Sequence, residues 1–352
     1  MSSILIYGAY GYSGRLAALH AATLQLNVIV AGRNAESVQK IALETGFPMR
    51  VFGLDSASEI AENLEGVSVV LNCAGPFSRT ARPLADTCIR NGVHYLDITG
   101  EIEVIEAMAE RSAAAKEQGV TLMPATGFDV VPTDSVAAYL KAKLPDATHL
   151  QLAFHSQGGL SHGTAQTMVE NLGGTGARRE NGQIVAEPVA SSVIQVPFLD
   201  KPRTGMSIPW GDVASAYYTT GIPNIQTYTT ASPRAARWIQ RTNAFHHLGG
   251  LKPIKSLAAS YVSRKITGPD EDARSKGRTQ IWGLAWNAAG EKASVILETL
   301  EGYTLTYLAS VDLARRAQAG ELPTGFTTPA GALGSDYVLQ FEPSRFTDLT
   351  PA

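Results

Sequence analysis

Residues 7–15, YGAYGYSGR, set three glycines at strict three-residue spacing: Gly8, Gly11 and Gly14. The run before them, SILIY (3–7), suits a strand buried on both faces, and Leu16, Leu19 and Ala22 follow at helical spacing. The glycines therefore fall between a strand and a helix. There, the unpaired N–H groups of the first helical turn and the positive end of the helix dipole attract phosphate. Gly8 suits the tight turn, Gly11 the close approach of backbone to a ligand, and Gly14 the packing of helix on strand. The spacing alone is a weak signal, but a second strand, NVIVAGR (27–33), completes a βαβ unit. That context predicts a dinucleotide held by Gly8, Tyr10, Gly11, Tyr12, Ser13 and Gly14. The alternative is a glycine-rich structural turn.

The end of the second strand bears on which dinucleotide. NAD-binding folds place an acid there for the ribose 2′-hydroxyl, whereas this strand ends in Arg33 and Asn34. A guanidinium fork matches phosphate oxygens, so the expected cofactor is NADP. A solvated arginine at a helix start is the alternative. One strand later MRVFGLD ends in Asp55, placed either to accept from the adenine amine or to cap the following helix.

Strand and helix patterns alternate onward. VSVVLNCAG, VHYLDITG and VTLMPATG read as strands, with helices over RTARPLADTCIRNG and EIEVIEAMAERSAAAKEQG. Such repetition predicts a parallel sheet covered on both faces, with ligands at the carboxyl ends of the strands. The informative loops are then NCAGPF, DITGE and TGFDVVPTD.

Composition narrows the class. The chain has 352 residues, enough for two domains, with 44% hydrophobic and 17% charged residues and a net charge of −3. This slight acidic excess gives no electrostatic footprint for nucleic acid. The two cysteines, Cys73 and Cys88, form no metal-spaced cluster. No apolar run approaches the roughly 20 residues that span a bilayer, and the N-terminus has no basic leader, so a cytoplasmic protein without an integral membrane segment is expected.

GAYGYSG, VAGRN, NCAGPF, GVHYLDITGE and GFDVVPTD together resemble the saccharopine dehydrogenase-like oxidoreductases, nearest to the group called trans-acting enoyl reductases. The resemblance covers the first 135 residues well, with softer matches in GPDEDARSKGRTQIWGLAWNAAGE, LEGYTLTYLA and TGFTTPAGALGSD. It implies an α/β fold: a Rossmann-like doubly wound parallel sheet with a second α+β domain built on a mixed sheet. It also implies NADP-dependent reduction. The expected domains are residues 1–146, completed by 303–352, and a substrate domain over 147–302. By the same resemblance Ala74, Gly75, Pro76 and Phe77 pass beside the pyrophosphate and nicotinamide, and Thr99, Gly100, Gly127 and Phe128 face the crevice where hydride moves.

Asp129 is the first choice for a proton-handling carboxylate, its alternative being a helix N-cap. Asp97 is a further catalytic candidate, although it and Glu101 would equally anchor backbone N–H groups. His162, with Thr164 and Gln166 at a strand-to-helix turn, is the third, an ordinary exposed histidine being the alternative. Tyr139 and Lys143 fit YxxxK with Thr126 upstream, the pair short-chain dehydrogenases use, but sit well inside a helix. Arg178, Arg179, Arg203 and Arg278 are the basic residues available to a dicarboxylic, saccharopine-type substrate.

Past residue 146 the alternation stops. Strands are expected over IVAEPVA, SVIQVPF, MSIPWGDVASAYYTTG and NIQTYTTA, a hairpin turning at Ala289-Gly290, and a final helix near YTLTYLASVDLARRAQAGEL. The mixed basic and apolar segment 233–265 fits a flanking helix, a partner helix or a membrane surface. His246 and His247 point to different faces of a helix and do not pair on a metal. The expected function is transfer of hydride between NADPH and a C=C, C=O or C=N substrate, a small molecule or an acyl thioester, with a homodimer left open. The alternatives are a short-chain-dehydrogenase-type carbonyl reductase using Tyr139 and Lys143, or an inactive NADP-binding sensor or scaffold.

Overall fold

The structure is a computed structural model that describes residues 2–156, 169, 173–243, 251, 255–256, 260 and 268–350. The chain separates into two compact units, one of Met1–Val131 with Tyr303–Ala332 and one of Pro132–Gly302 with Leu333–Ala352.

The first unit is built on strands β1 (Ser3–Tyr7), β2 (Val28–Gly32), β3 (Met49–Val51), β4 (Val67–Asn72), β5 (His94–Asp97) and β6 (Thr121–Met123), with β15 (Gly325–Phe326) arriving from the far end of the chain. They pair in the order β15-β6-β5-β4-β1-β2-β3, every neighbour parallel. All five residues of β1 and of β2 are buried, as the continuous apolar runs require of strands covered on two faces. The order reverses between β1 and β4, so the β1 and β4 loops open beside each other at the strands' carboxyl ends, where such sheets take ligands.

Helices α1 (Tyr12–Thr23), α2 (Ala35–Thr45), α3 (Ala57–Glu62) and α4 (Phe77–Arg90) make the first crossovers. The single helix expected over residues 101–119 is two, α5 (Ile102–Glu110) and α6 (Ser112–Glu117). The chain turns at Arg111, whose guanidinium bonds Ala107 O at 2.8 Å and Asp86 Oδ1 at 2.6 Å. Helix Gly302–Gln318 belongs to this unit from Tyr303 onward. Its Tyr303 ring meets Tyr12 edge-on at 4.9 Å and its Tyr307 ring lies 5.3 Å from His20. The return is stitched by Gly325 N to Val120 O (2.7 Å), Thr121 Oγ1 to Pro323 O (2.9 Å) and Gln318 Nε2 to Ser2 O (2.9 Å).

The second unit holds a nine-stranded mixed sheet: β7 (His149–Ser156), the hairpin β8 (Gly176–Glu180) and β9 (Gln183–Glu187), β10 (Val193–Pro197), β11 (Pro202–Ile208), β12 (Asn224–Thr230), the hairpin β13 (Arg278–Trp286) and β14 (Lys292–Leu300), and β16 (Arg345–Leu349). Among the described residues, only the β12–β7 pair of this sheet is parallel. Gly290 takes φ +85° in the β13–β14 turn, where a side chain would be strained. Helix α7 (Val131–Lys143) lies tight on β13, because a Cβ at Gly283 would strike Val136 and Leu140.

One element differs in kind from the sequence expectation. The strand expected across MSIPWGDVASAYYTTG ends at Ile208, and α8 (Asp212–Thr220) follows, closed by Gly221 in the left-handed conformation. Its Val, Tyr and Thr residues favour strands in isolation, but tertiary packing decides. Tyr217 lies under the guanidinium of Arg179, 4.2 Å from ring centroid to Cζ, and Arg179 Nε bonds Val213 O at 2.8 Å. The sequence reading also missed β8, whose Arg179 is buried.

Candidate functional site

The glycine turn has the shape its spacing predicts. Gly8 takes φ +79°, and a Cβ there would come 2.8 Å from Ala74 N; a Cβ at Gly14 would collide with Gly8 O. Two loops and a helix start are thus packed to backbone contact. The N-cap of α1 is Gly11, with no side-chain cap bond and no acid in the first turn, so the positive helix end is not neutralised from within. Tyr12 and Ser13 open that turn. Backbone approach at Gly8 and Gly14 together with an uncapped α1 fits a pyrophosphate.

Toward β2 and β3 the residues expected at the adenosine end separate by role. The Tyr10 ring lies over Gly32, where a Cβ would come 2.5 Å from Cε1. Arg33 is exposed and makes no ion pair or side-chain hydrogen bond among the described residues, whereas Asn34 caps α2 by accepting from Ser37 N at 2.8 Å. Asp55 is exposed and does not cap α3, since Ser56 accepts from Glu59 N at 3.3 Å. Burial pushes the Tyr7 hydroxyl up to about 12, with Tyr10, Arg33, Glu59 and Asp55 as its charged or polar neighbours.

At the ends of β4, β5 and β6 a buried network fixes the loops that follow. Asn72 Nδ2 donates to Tyr95 Oη and to Thr80 Oγ1, both at 3.1 Å, and Asn72 Oδ1 accepts from Ala74 N at 3.0 Å. Tyr95 in turn donates to Asp97 Oδ2 at 2.9 Å. Asp97 Oδ1 accepts from Thr99 N (3.0 Å) and Ala125 N (2.9 Å), and its carbonyl takes Thr126 N and Oγ1. Asp97 is fully buried, and burial raises its carboxyl to about 6 against the lowering effect of those hydrogen bonds. The sequence reading missed Asn72 and Tyr95; a polar residue ending each of two buried strands was the available signal.

Glu101 crosses from the β5 loop to the start of α4, where its Oε1 accepts from Phe77 N and its Oε2 from Ser78 N, each at 2.8 Å. Pro76 is that helix's N-cap and follows a cis Gly75–Pro76 bond. Asp129 lies across Gly100: a Cβ at Gly100 would sit 2.6 Å from Asp129 Oδ2. Burial raises the Asp129 carboxyl to about 7, and the neighbouring Glu101 charge adds to the rise. Phe128 N donates to Thr306 Oγ1 at 3.0 Å, and Gly127 leaves 3.0 Å between a Cβ and Thr306 Cγ2. Thr306, on helix Gly302–Gln318, was not singled out from sequence.

Tyr139 and Lys143 belong to the second unit, whereas the glycine turn belongs to the first. Tyr139 donates to Asp348 Oδ1 (3.1 Å), Lys143 to Asp348 Oδ2 (2.7 Å), and the Tyr139 ring stacks on Phe346. The pair ties α7 to β16, which corrects the short-chain-dehydrogenase alternative. His162, Thr164, Gln166, His246 and His247 lie outside the described residues. Among the described residues no helix is long and apolar enough to cross a membrane, and no cluster of three or more His, Cys, Asp or Glu could hold a metal.

Residues 4–123 match the family described as the saccharopine dehydrogenase NADP-binding domain. A "Lipid droplet localized protein" of Caenorhabditis elegans is 28% identical over 239 residues, 59% of this chain and 56% of that protein, so the chain spans little more than half of that relative's length. A "Trans-acting enoyl reductase" of Mycobacterium tuberculosis is 25% identical over 294 residues, 75% of this chain and 69% of its own. In fold, the solved saccharopine dehydrogenase (L-Glu forming) of Saccharomyces cerevisiae superposes with a TM-score of 0.69 over 99% of this chain and all of its own, at 10% identity. The glycine turn, the parallel sheet and the matched residues agree: residues 4–123 resemble the NADP-binding domain of the saccharopine dehydrogenases, and the chain as a whole shares their fold.

Proposed function

We propose that the protein is an NADPH-dependent reductase of a C=C, C=O or C=N bond in a small molecule or acyl thioester, with the first unit as its cofactor domain. NADPH supplies the hydride. Gly8, Gly11 and Gly14 with the α1 start, at Tyr12 and Ser13, hold the pyrophosphate. Arg33 takes the 2′-phosphate, with Tyr10, Asn34 and Asp55 around the adenosine. The loops Ala74–Phe77, Thr99–Gly100 and Gly127–Phe128 border the nicotinamide end.

The observation that carries the reading is Asp129 laid across Gly100 beside Glu101. A carboxyl held near 7 is protonated for a large fraction of molecules at neutral pH, and it donates that proton to the atom left electron-rich by hydride addition. Asp97, with both oxygens engaged, positions the loops instead. An enoyl thioester or carbonyl suits the chain better than a dicarboxylic imine, because three of the four candidate arginines are taken up by other partners, and only Arg203, whose buried Nε has no hydrogen-bond partner among the described residues, keeps a donor to offer. Arg178 pairs with Glu180 and Glu187, Arg179 with backbone carbonyls and Tyr217, Arg203 with Asp200, and Arg278 with Ser275 O and Gly277 O.

A cytoplasmic location fits the free thiols Cys73 and Cys88. The test is NADPH oxidation against a panel of enoyl thioesters, ketones and imines. Consumption with wild type and its loss in Asp129→Asn, with NADPH binding retained, supports the reading; binding without turnover of any class turns it into a sensor.

A further inference from the structure

The charge of the chain is unevenly placed. Val213 to Pro269 carries seven Lys or Arg residues and no Asp or Glu, in a protein whose net charge is −3. The first three of those cations, Arg234, Arg237 and Arg241, lie on α9 (Pro233–Thr242). Ser232 caps this helix by accepting from Ala235 N at 3.1 Å, and Pro233 opens it.

Its two faces divide cleanly. Ala236 is buried, Gln240 Nε2 donates to Ala190 O and Asn243 Nδ2 to Val189 O, each at 2.8 Å, so positions 236, 240 and 243 face the body of the unit. Arg234, Arg237, Trp238 and Arg241 recur at i, i+3, i+4 and i+7 and form the opposite stripe. All four are exposed, Trp238 at 68%, and none of the three arginines makes an ion pair among the described residues.

We propose that this face of α9 docks on an anionic phospholipid surface, independently of the redox reading. Three arginines set around one exposed tryptophan combine the two elements of interfacial attachment: cations for lipid phosphates, and an amphipathic ring for the headgroup level. The sequence on either side of the helix carries no Asp or Glu, so its neighbours along the chain add no repulsion from such a surface. The helix lies on the membrane and does not enter it; its inward face is taken up by the protein.

The experiment is co-sedimentation of the full chain with vesicles of phosphatidylcholine alone and of phosphatidylcholine with phosphatidylserine, over a salt series. Binding is expected only with phosphatidylserine, weakening as salt rises. Each Arg→Gln change at 234, 237 or 241 should lower the partition coefficient ~5-fold, the equivalent of ~1 kcal/mol per basic residue. Trp238→Ala should weaken binding with little change in its salt dependence. Retained NADPH binding and far-UV circular dichroism show that the variants are folded. If a variant is not folded, the salt series and lipid comparison on wild type decide. No sedimentation at low salt, equal binding to both vesicles, or undiminished binding by the folded triple Arg→Gln variant overturns the proposal.

Discussion

Glu101 and Phe77 meet across 24 residues of sequence: the carboxylate that follows β5 accepts the first free N–H of α4 at 2.8 Å. The same carboxylate raises the neighbouring Asp129. One side chain thus anchors a helix and biases a proton.

Glu101→Ala should lower the unfolding free energy by ~1–2 kcal/mol, the usual worth of a helix cap, in a denaturant titration. Glu101→Gln, which keeps one acceptor and loses the charge, should instead move the Asp129 titration to lower pH. An unmoved pH profile in Glu101→Gln would remove Glu101 from the proton's environment.

Asp129→Asn should reduce reductive turnover by ~10²–10⁴-fold, the range for a lost general acid, with NADPH affinity held. In wild type, reduction should fall as pH rises through about 7, because only the protonated carboxyl donates. The fold's stability shares the sign. Asp129 is raised to about 7 and Asp97 to about 6 from a common starting value of 3.8, so the native state binds more protons between those limits. Their contribution to stability is largest below pH ~4 and declines as pH rises through 6 to 7. Other carboxylates contribute with the opposite sign, so the check is the difference between wild type and Asp129→Asn.

Gly100→Ala should damage turnover more than binding, since its methyl would displace the Asp129 carboxyl. Isothermal titration with NADPH and steady-state kinetics separate the two effects; equal losses in both would show a general collapse of the loop.

Arg33→Ala should weaken NADPH by ~10- to 100-fold, the worth of hydrogen bonds to a charged group, and leave NADH nearly unchanged. Nicotinamide fluorescence titration reads both. Gly14→Ala, whose methyl collides with Gly8 O, should abolish binding of either dinucleotide.

Tyr139→Phe and Lys143→Ala should leave turnover unchanged, because their partner is Asp348 on the last strand. Loss of activity in both folded variants would reopen the short-chain-dehydrogenase mechanism.

The sheet was legible because buried parallel strands write themselves as short apolar runs, and because Gly14 is required by a contact with Gly8 O only six residues away. Local signals failed where partners are distant. Phe128 depends on Thr306, 178 residues on, and Lys143 on Asp348, 205 residues on, so neither partner was readable from the local sequence. Helix α8 was misread because β-branched and aromatic residues outweighed Asp212 and Gly221, the acid and the glycine that frame it. For Asp97 the sequence left two roles open, catalysis or the anchoring of backbone N–H groups, and the choice depends on Tyr95, Thr99 and Ala125 closing around both oxygens.

The stitch of Gly325 to Val120 carries a consequence for synthesis. The edge of the parallel sheet and the helix lying on α1 come from residues 303–332, after the whole intervening segment 132–302 has been translated. At ~5–20 residues per second, a ribosome needs roughly 10–30 s to make that segment. During that interval the nascent N-terminal sheet leaves β6 unpaired on one side, a window in which a chaperone or a neighbouring nascent chain competes for the edge that β15 will later occupy.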